Sequence, residues 1–115
     1  MADIEFRLRR SDDDFEPFYV RIAESGDGAA LAFTENDESE EAGTRAIAAL
    51  RAGELRYDTV HDRGNDVWFF RLTDLDGEVL FRSLPCPSED AMQATIERIT
   101  AQAIDAEIID ERRND

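Results

Sequence analysis

The sequence contains no lysine, and it has a single cysteine and a single histidine in 115 residues. One cysteine cannot form a disulfide within the chain, and the absence of Cys-x-x-Cys and His-x-x-x-His spacings excludes the usual zinc patterns. No apolar run approaches the roughly 18 residues that a membrane-spanning helix needs. The chain opens directly into strand-like sequence rather than a basic and apolar leader, so we expect a soluble cytoplasmic protein.

Catalytic residue patterns are also missing. His61 is the only histidine that could act as a base, and it stands at a charged strand end, where we expect an exposed surface side chain. Cys86 lies between two prolines with no basic neighbour to lower its thiol pKa, which favours a structural role over a reactive one. Asp74-x-Asp76-Gly77 is not a calcium loop, because its glycine comes too early and the distal glutamate is absent. We therefore predict no enzymatic activity, no cofactor and no metal site.

Acidic residues are what the chain has in excess. Twenty-eight Asp and Glu stand against 13 basic residues, all of them arginine, which gives a formal net charge of −15. The acids are spread along the chain among aromatic residues, unlike those of a disordered acidic tail. Molar salt shortens the Debye length to about 3 Å, so a fold can tolerate this charge in a saline cytoplasm. Thermophilic adaptation fits less well, because it usually enriches lysine together with glutamate.

The same charge restricts the expected partners. A strongly negative surface repels phosphate backbones and anionic headgroups, although molar salt screens much of that repulsion. We predict neither nucleic acid nor membrane as a partner.

One pattern occurs twice along the chain, about fifty residues apart. Residues 18–22 recur as 68–72, residues 27–28 as 76–77, and residues 39–42 as 88–91. Each copy is too small to bury its own apolar face, so the duplication predicts one domain made of two repeats, at about 3–60 and 55–110.

Each repeat is predicted to contain strands followed by one helix. Alternating apolar residues predict strands near residues 4–9, 18–22, 29–34, 55–60, 68–72, 79–84 and 106–109. Ser39 and Ser88 are typical N-caps, and Gly53 is a plausible left-handed stop for the first helix. Hairpin-length connections predict an antiparallel sheet with both helices on one face, which is an α+β fold.

The second repeat resembles the YegP-like family, a domain of unknown function. The resemblance lies in the aromatic strand 68–72, the turn 76–78 with the aliphatic strand ending at Ser83, and the helix that begins at Ser88. Residues 18–22, with Gly28, Ser39 and Ile47, match more loosely. The resemblance implies two β(3)-α-β units sharing one sheet with exchanged terminal strands, and it supplies no catalytic residues. The acidic composition suggests a member of the haloarchaeal type.

One group of side chains is a candidate binding surface. If residues 18, 20 and 22 and residues 68, 70 and 72 point toward the helices, the residues between them point to the other sheet face. The group comprises Arg7, Arg9, Tyr19, Arg21, Phe69 and Arg71. Arginine with aromatic residues is a composition favoured at protein interfaces and for stacking on anionic ligands. The alternative is that these arginines simply pair with cross-strand acids.

We predict a small non-enzymatic binding or interaction module that acts on a protein partner, or on a second copy, through this sheet face. The alternative is a small-molecule binder or minor enzyme that uses a pocket between helix and sheet.

Overall fold

The computed structural model describes residues 3–26 and 28–112. Asp27, part of the predicted first hairpin turn, and residues 113–115 of the predicted polar tail lie outside the described residues. The elements, in chain order, are β1 (Ile4–Arg10), β2 (Phe18–Glu24), β3 (Ala30–Phe33), α1 (Glu40–Arg51), β4 (Arg56–Asp62), β5 (Val67–Thr73), β6 (Val79–Ser83), α2 (Glu89–Gln102) and β7 (Glu107–Asp110).

The strands form one seven-stranded sheet in the order β4-β5-β6-β3-β2-β1-β7. The predicted α+β fold is confirmed, with one correction: the sheet is mixed rather than antiparallel. Strand β7 runs parallel to β1, whereas the other neighbouring strands are antiparallel. The reason is that no hairpin joins β7 to β1: α2 carries the chain from β6 across to the far edge of the sheet, so the connection does not impose an antiparallel direction.

The core lies between the sheet and the two helices. Alternation along β1 and β2 buries Ile4, Phe6, Val20 and Ile22 at 0–1% exposure, while their sequence neighbours point to the opposite face. Both halves of the chain contribute to a single buried cluster, which also includes Leu8, Ala32, Ala46, Ile47, Leu50, Phe70, Leu72, Phe81, Met92, Ile99, Ala103 and Ala106. At about 25 cal/mol per Å² of buried apolar surface, this shared cluster is the main source of stability.

Equivalent hydrogen bonds recur in the two halves. The Val20 amide donates to Thr34 Oγ1 at 2.8 Å, and the Phe70 amide donates to Ser83 Oγ at 2.9 Å. Isolated bridges join Phe18 to Asp37 in the first half and Trp68 to Cys86 in the second. The correspondence follows the spacing of the sequence pattern, so positions in one half can be compared directly with positions in the other.

The helix ends follow the predicted capping residues. The side chain of Ser39 accepts from the Glu41 amide, and that of Ser88 accepts from the Ala91 amide. Gly53 has φ +73°, a left-handed conformation that favours glycine, and its amide donates to the Leu50 carbonyl just past the end of α1.

The two halves interlock through the last strand. Strand β7 belongs to the second half by sequence, but it pairs with β1 of the first. Arg51, at the end of α1, donates to the carbonyl oxygens of Ala103 at 2.9 Å and Ala106 at 2.5 Å, in the link between α2 and β7. Its guanidinium also lies 5.5 Å from the centre of the Phe6 ring. A single side chain therefore joins α1, β1 and the approach to β7.

Candidate binding face

The sheet surface opposite the helices, called here the open face, carries all six of the residues predicted for it. Cross-strand pairing aligns Arg7 with Arg21 and Arg9 with Tyr19. Arg71 and Phe69 flank the fully buried Phe70 in β5, so they point away from the core.

A row of side chains crosses six strands at the middle of the open face. Each residue pairs with the next in the register: Asp58, Arg71, Arg82, Phe33, Arg21 and Arg7. At about 4.8 Å between strands, Arg71 and Arg7 stand roughly 19 Å apart along the row. Four arginines therefore lie in one line, and two of the adjacent pairs, Arg7 with Arg21 and Arg71 with Arg82, place like charges directly opposite each other.

Most of these arginines have carboxylate partners. Arg7 pairs with the buried Glu5 and, at 3.5 Å, with Glu111. Arg71 donates to Asp58 at 2.5 Å. The Arg71–Asp58 contact is a cross-strand pair of the kind that was the alternative to a binding role, whereas Glu5 lies on the same strand as Arg7.

Two further arginines on the face have weaker partners. Arg9 lies 3.8 Å from Glu111, and Arg82 lies 3.4 Å from Glu35, whose side chain is 69% exposed. Exposed pairs of this type stabilise a fold by about 0–1 kcal/mol, so Arg82 remains accessible to another anion.

Arg21 differs from its neighbours. Within the described residues it has no carboxylate within ion-pair distance; its guanidinium donates to the Gly28 carbonyl at 3.5 Å and lies 5.6 Å from the Phe33 ring centre. The Nε atoms of Arg21 and of Arg71, its counterpart in the second half, are buried without a hydrogen-bond partner in the described part of the chain. Arg21 is thus a cation whose charge no carboxylate of the described residues neutralises.

The sequence reasoning missed Phe33 and Arg82. Both stand next to a fully buried residue, Ala32 in β3 and Phe81 in β6, so strand alternation could have placed them on the open face. Phe33 also contacts Tyr19, with the ring centres 6.2 Å apart.

His61 and Cys86 have structural environments. His61 lies within β4 and stacks on Trp68 at 4.1 Å between ring centres, so the predicted exposed side chain is wrong: it is 30% exposed. The stacking arises because the register sets these two residues opposite each other on the helical side. Burial raises the pKa of the Cys86 thiol, which lowers its reactivity at neutral pH.

Three open grooves on the helical side are lined by described residues. Their volumes are about 130, 520 and 260 Å³. The largest of these three lies between α1 and the turn that joins β5 to β6.

Among residues 3–26 and 28–112, no group of three or more His, Cys, Asp or Glu side chains is arranged to hold a metal ion. No helix in that part of the chain has both the length and the apolar character needed to cross a bilayer.

Part of the chain matches a known protein family. Residues 64–110 match the family described as Domain of unknown function (DUF1508). No curated protein sequence matches the chain at a significant level.

Two solved structures are similar over nearly the whole chain. The solution NMR structure of YegP from E. coli, a protein of unknown function, has a TM-score of 0.79 at 17% identity and covers 100% of this chain and 98% of its own. The solution NMR structure of a UPF0339 protein from Shewanella oneidensis has a TM-score of 0.77 at 16% identity and covers 95% of this chain and 92% of its own. The resemblance found in the sequence is therefore confirmed: the chain has the YegP-like fold, and residues 64–110 match a domain of unknown function.

Proposed function

We propose that residues 1–115 form one domain of two repeats that acts as a non-enzymatic binding module, and that its open face takes an anionic protein surface. The observation that carries the proposal is the row of four arginines around Phe33, in which Arg21 has no carboxylate partner among residues 3–26 and 28–112.

The arginine row is costly for a surface with a structural role alone. Like charges directly opposite each other on neighbouring strands destabilise a sheet, and such pairs occur twice here. An anionic partner would relieve that repulsion, and guanidinium groups suit this role because they bind carboxylates in a bidentate manner.

Aromatic side chains support the same proposal. Tyr19, Phe33 and Phe69 lie among the arginines, and this combination is enriched at protein interfaces. The strongly acidic remainder of the molecule would discourage non-specific anion binding away from the face.

We further propose that the protein works in a salt-rich cytoplasm. The support is a net charge of −15 without a single lysine. We expect the melting temperature to rise by several degrees from 0.1 M to about 2 M KCl, because screening reduces the repulsion among surface carboxylates. An unchanged melting temperature would refute this proposal and leave the binding proposal standing.

The binding proposal is tested with the double variant Arg21→Ser, Arg82→Ser. Neither substitution removes a strong ion pair, since Arg21 has none in the described chain and the partner of Arg82 is largely exposed. Arg63→Ser, in the exposed turn between β4 and β5, is the matched control. Self-association is measured by light scattering, and partners are captured from lysate, both in molar KCl.

The proposal predicts a partner, or a second copy of the chain, that binds the wild type and the control but not the double variant. Identical self-association and identical captured proteins for all three would refute it. Melting temperatures of the three proteins show whether a loss of binding reflects unfolding.

A further inference from the structure

A groove lies on the helical side of the sheet, opposite the open face. The equivalent place in the other half is occupied, and its occupant indicates what the groove can bind. The α1 groove, as we call it, lies between α1 and the turn joining β5 to β6 and has a volume of about 520 Å³. Leu55, Leu80 and Ala49 contribute apolar lining, and Glu54 and Asp74 contribute carboxylates. This volume is in the range of small-molecule sites.

In the other half, the equivalent place is filled by an arginine. Arg98 of α2 donates to the two carboxylate oxygens of Glu24 at 2.7 and 2.6 Å, and to Asp3 at 3.3 Å. Hydrogen bonding to Glu24 raises the pKa of Arg98, so the guanidinium stays charged. In this half, the chain itself thus holds a guanidinium between the carboxylates of Glu24 and Asp3.

The two carboxylates are duplicated in the sequence, but the arginine is not. Asp3 immediately precedes β1, and Glu54 is its equivalent, with Leu55 between it and β4. Glu24 is the last residue of β2, and Asp74, its equivalent, immediately follows β5. On the helices, Arg98 lies ten residues after Ser88, and Ala49 lies ten residues after Ser39. Alanine therefore stands where the guanidinium stem would be, and the space that it leaves is the α1 groove.

Side chains of the described residues do not neutralise Glu54 or Asp74. Within the described residues, Glu54 makes no ion pair, and Asp74 Oδ1 accepts only the backbone amides of Asp76 and Glu78, each at 2.9 Å. Arg45 also lines the groove, but it forms no ion pair with a described carboxylate.

We propose that the α1 groove binds a small molecule with a guanidinium group on a short aliphatic chain, its charge between Glu54 and Asp74 and its chain over Ala49 and Leu80. The chemistry is that of the Arg98 contact, with the cation supplied by a ligand instead of by the helix. Charge-assisted, paired hydrogen bonds favour guanidinium over a single ammonium group.

The probe is agmatine, which carries a guanidinium on a four-carbon chain, titrated into the ¹⁵N-labelled protein at moderate and at molar KCl. We expect saturable shifts of amides lining the α1 groove, with no shifts on the open face. Putrescine, which has ammonium groups only, should bind more weakly. Shifts that do not saturate, or that spread over the whole acidic surface, would overturn the proposal.

Two variants make the test specific. Ala49→Arg should place a guanidinium in the groove, abolish agmatine binding and raise the melting temperature. Glu54→Gln, at an exposed position, should leave the fold intact and weaken agmatine binding roughly fivefold. If both variants bind agmatine as the wild type does, the proposal is wrong. The binding proposal for the open face would be unaffected, because it depends on other residues.

Discussion

Replacing Arg51 by methionine should loosen the connection between the two halves. The substitution keeps an apolar stem but removes the donors to the carbonyls of Ala103 and Ala106 and the charge over Phe6. Hydrogen bonds that involve a charged group contribute about 1.5–3 kcal/mol each. Because Arg51 is half-buried and water can reach part of this site, we take the lower end for both bonds, a loss of about 3 kcal/mol in the free energy of unfolding.

The consequences are measurable in two ways. A loss of this size should lower the melting temperature by about 10 °C in a domain of 115 residues. Amide hydrogen exchange should accelerate most in β7, because the link that positions this strand loses its contacts to α1. Both experiments should be run in molar KCl, where surface charge repulsion is screened.

The control is Arg45→Met on the same helix. Arg45 is exposed and has no ion pair in the described part of the chain, so its replacement should change stability by no more than about 0.5 kcal/mol. If Arg51→Met is as stable as this control, or if exchange in β7 is unchanged, the interlocking of the two halves through Arg51 is refuted.

Two substitutions and one chemical modification test the packing and the titratable groups. Gly43→Ala should destabilise the protein by about 1 kcal/mol in chemical denaturation despite the better helix propensity of alanine. The reason is that the new Cβ would lie 2.6 Å from a methyl group of the fully buried Val20. A stabilised variant would contradict this close packing. Burial raises the pKa of Tyr57, whose hydroxyl oxygen accepts a hydrogen bond from Thr100 at 3.1 Å. The stability that this shift contributes is therefore present below the unfolded pKa of about 10, and it is lost as pH rises through the higher folded pKa. Tyr57→Phe should therefore flatten the alkaline part of the stability–pH curve, and a curve of unchanged slope would speak against this. Cys86 should react with iodoacetamide more slowly in the folded than in the denatured protein, and equal rates would show that its burial is overstated.

Much of the fold could be predicted from the sequence because the signals within each half are local. Alternation in β1, β2 and β5, serine caps at both helices and a glycine at the end of α1 each depend on neighbours a few residues away. The same alternation predicted the open-face positions of Arg21 and Arg71.

The pairing of those side chains could not be read from the sequence, because it depends on the order of strands in the sheet. Arg21 and Arg82 stand in one row only because β3 and β6 meet at the centre of the sheet. The stacking of His61 on Trp68 follows from the β4–β5 register, and no spacing rule predicted it.

The sequence by itself determined the elements, the acidic surface and the division into two similar halves, because periodicity, capping and charge are properties of short stretches of chain. Only the tertiary structure decided that β7 runs parallel to β1, that Arg21 lacks a carboxylate partner in the described part of the chain and that Ala49 leaves a groove where Arg98 fills its counterpart. Each of these depends on contacts between residues distant in sequence, which are set by how the shared core packs the two halves together.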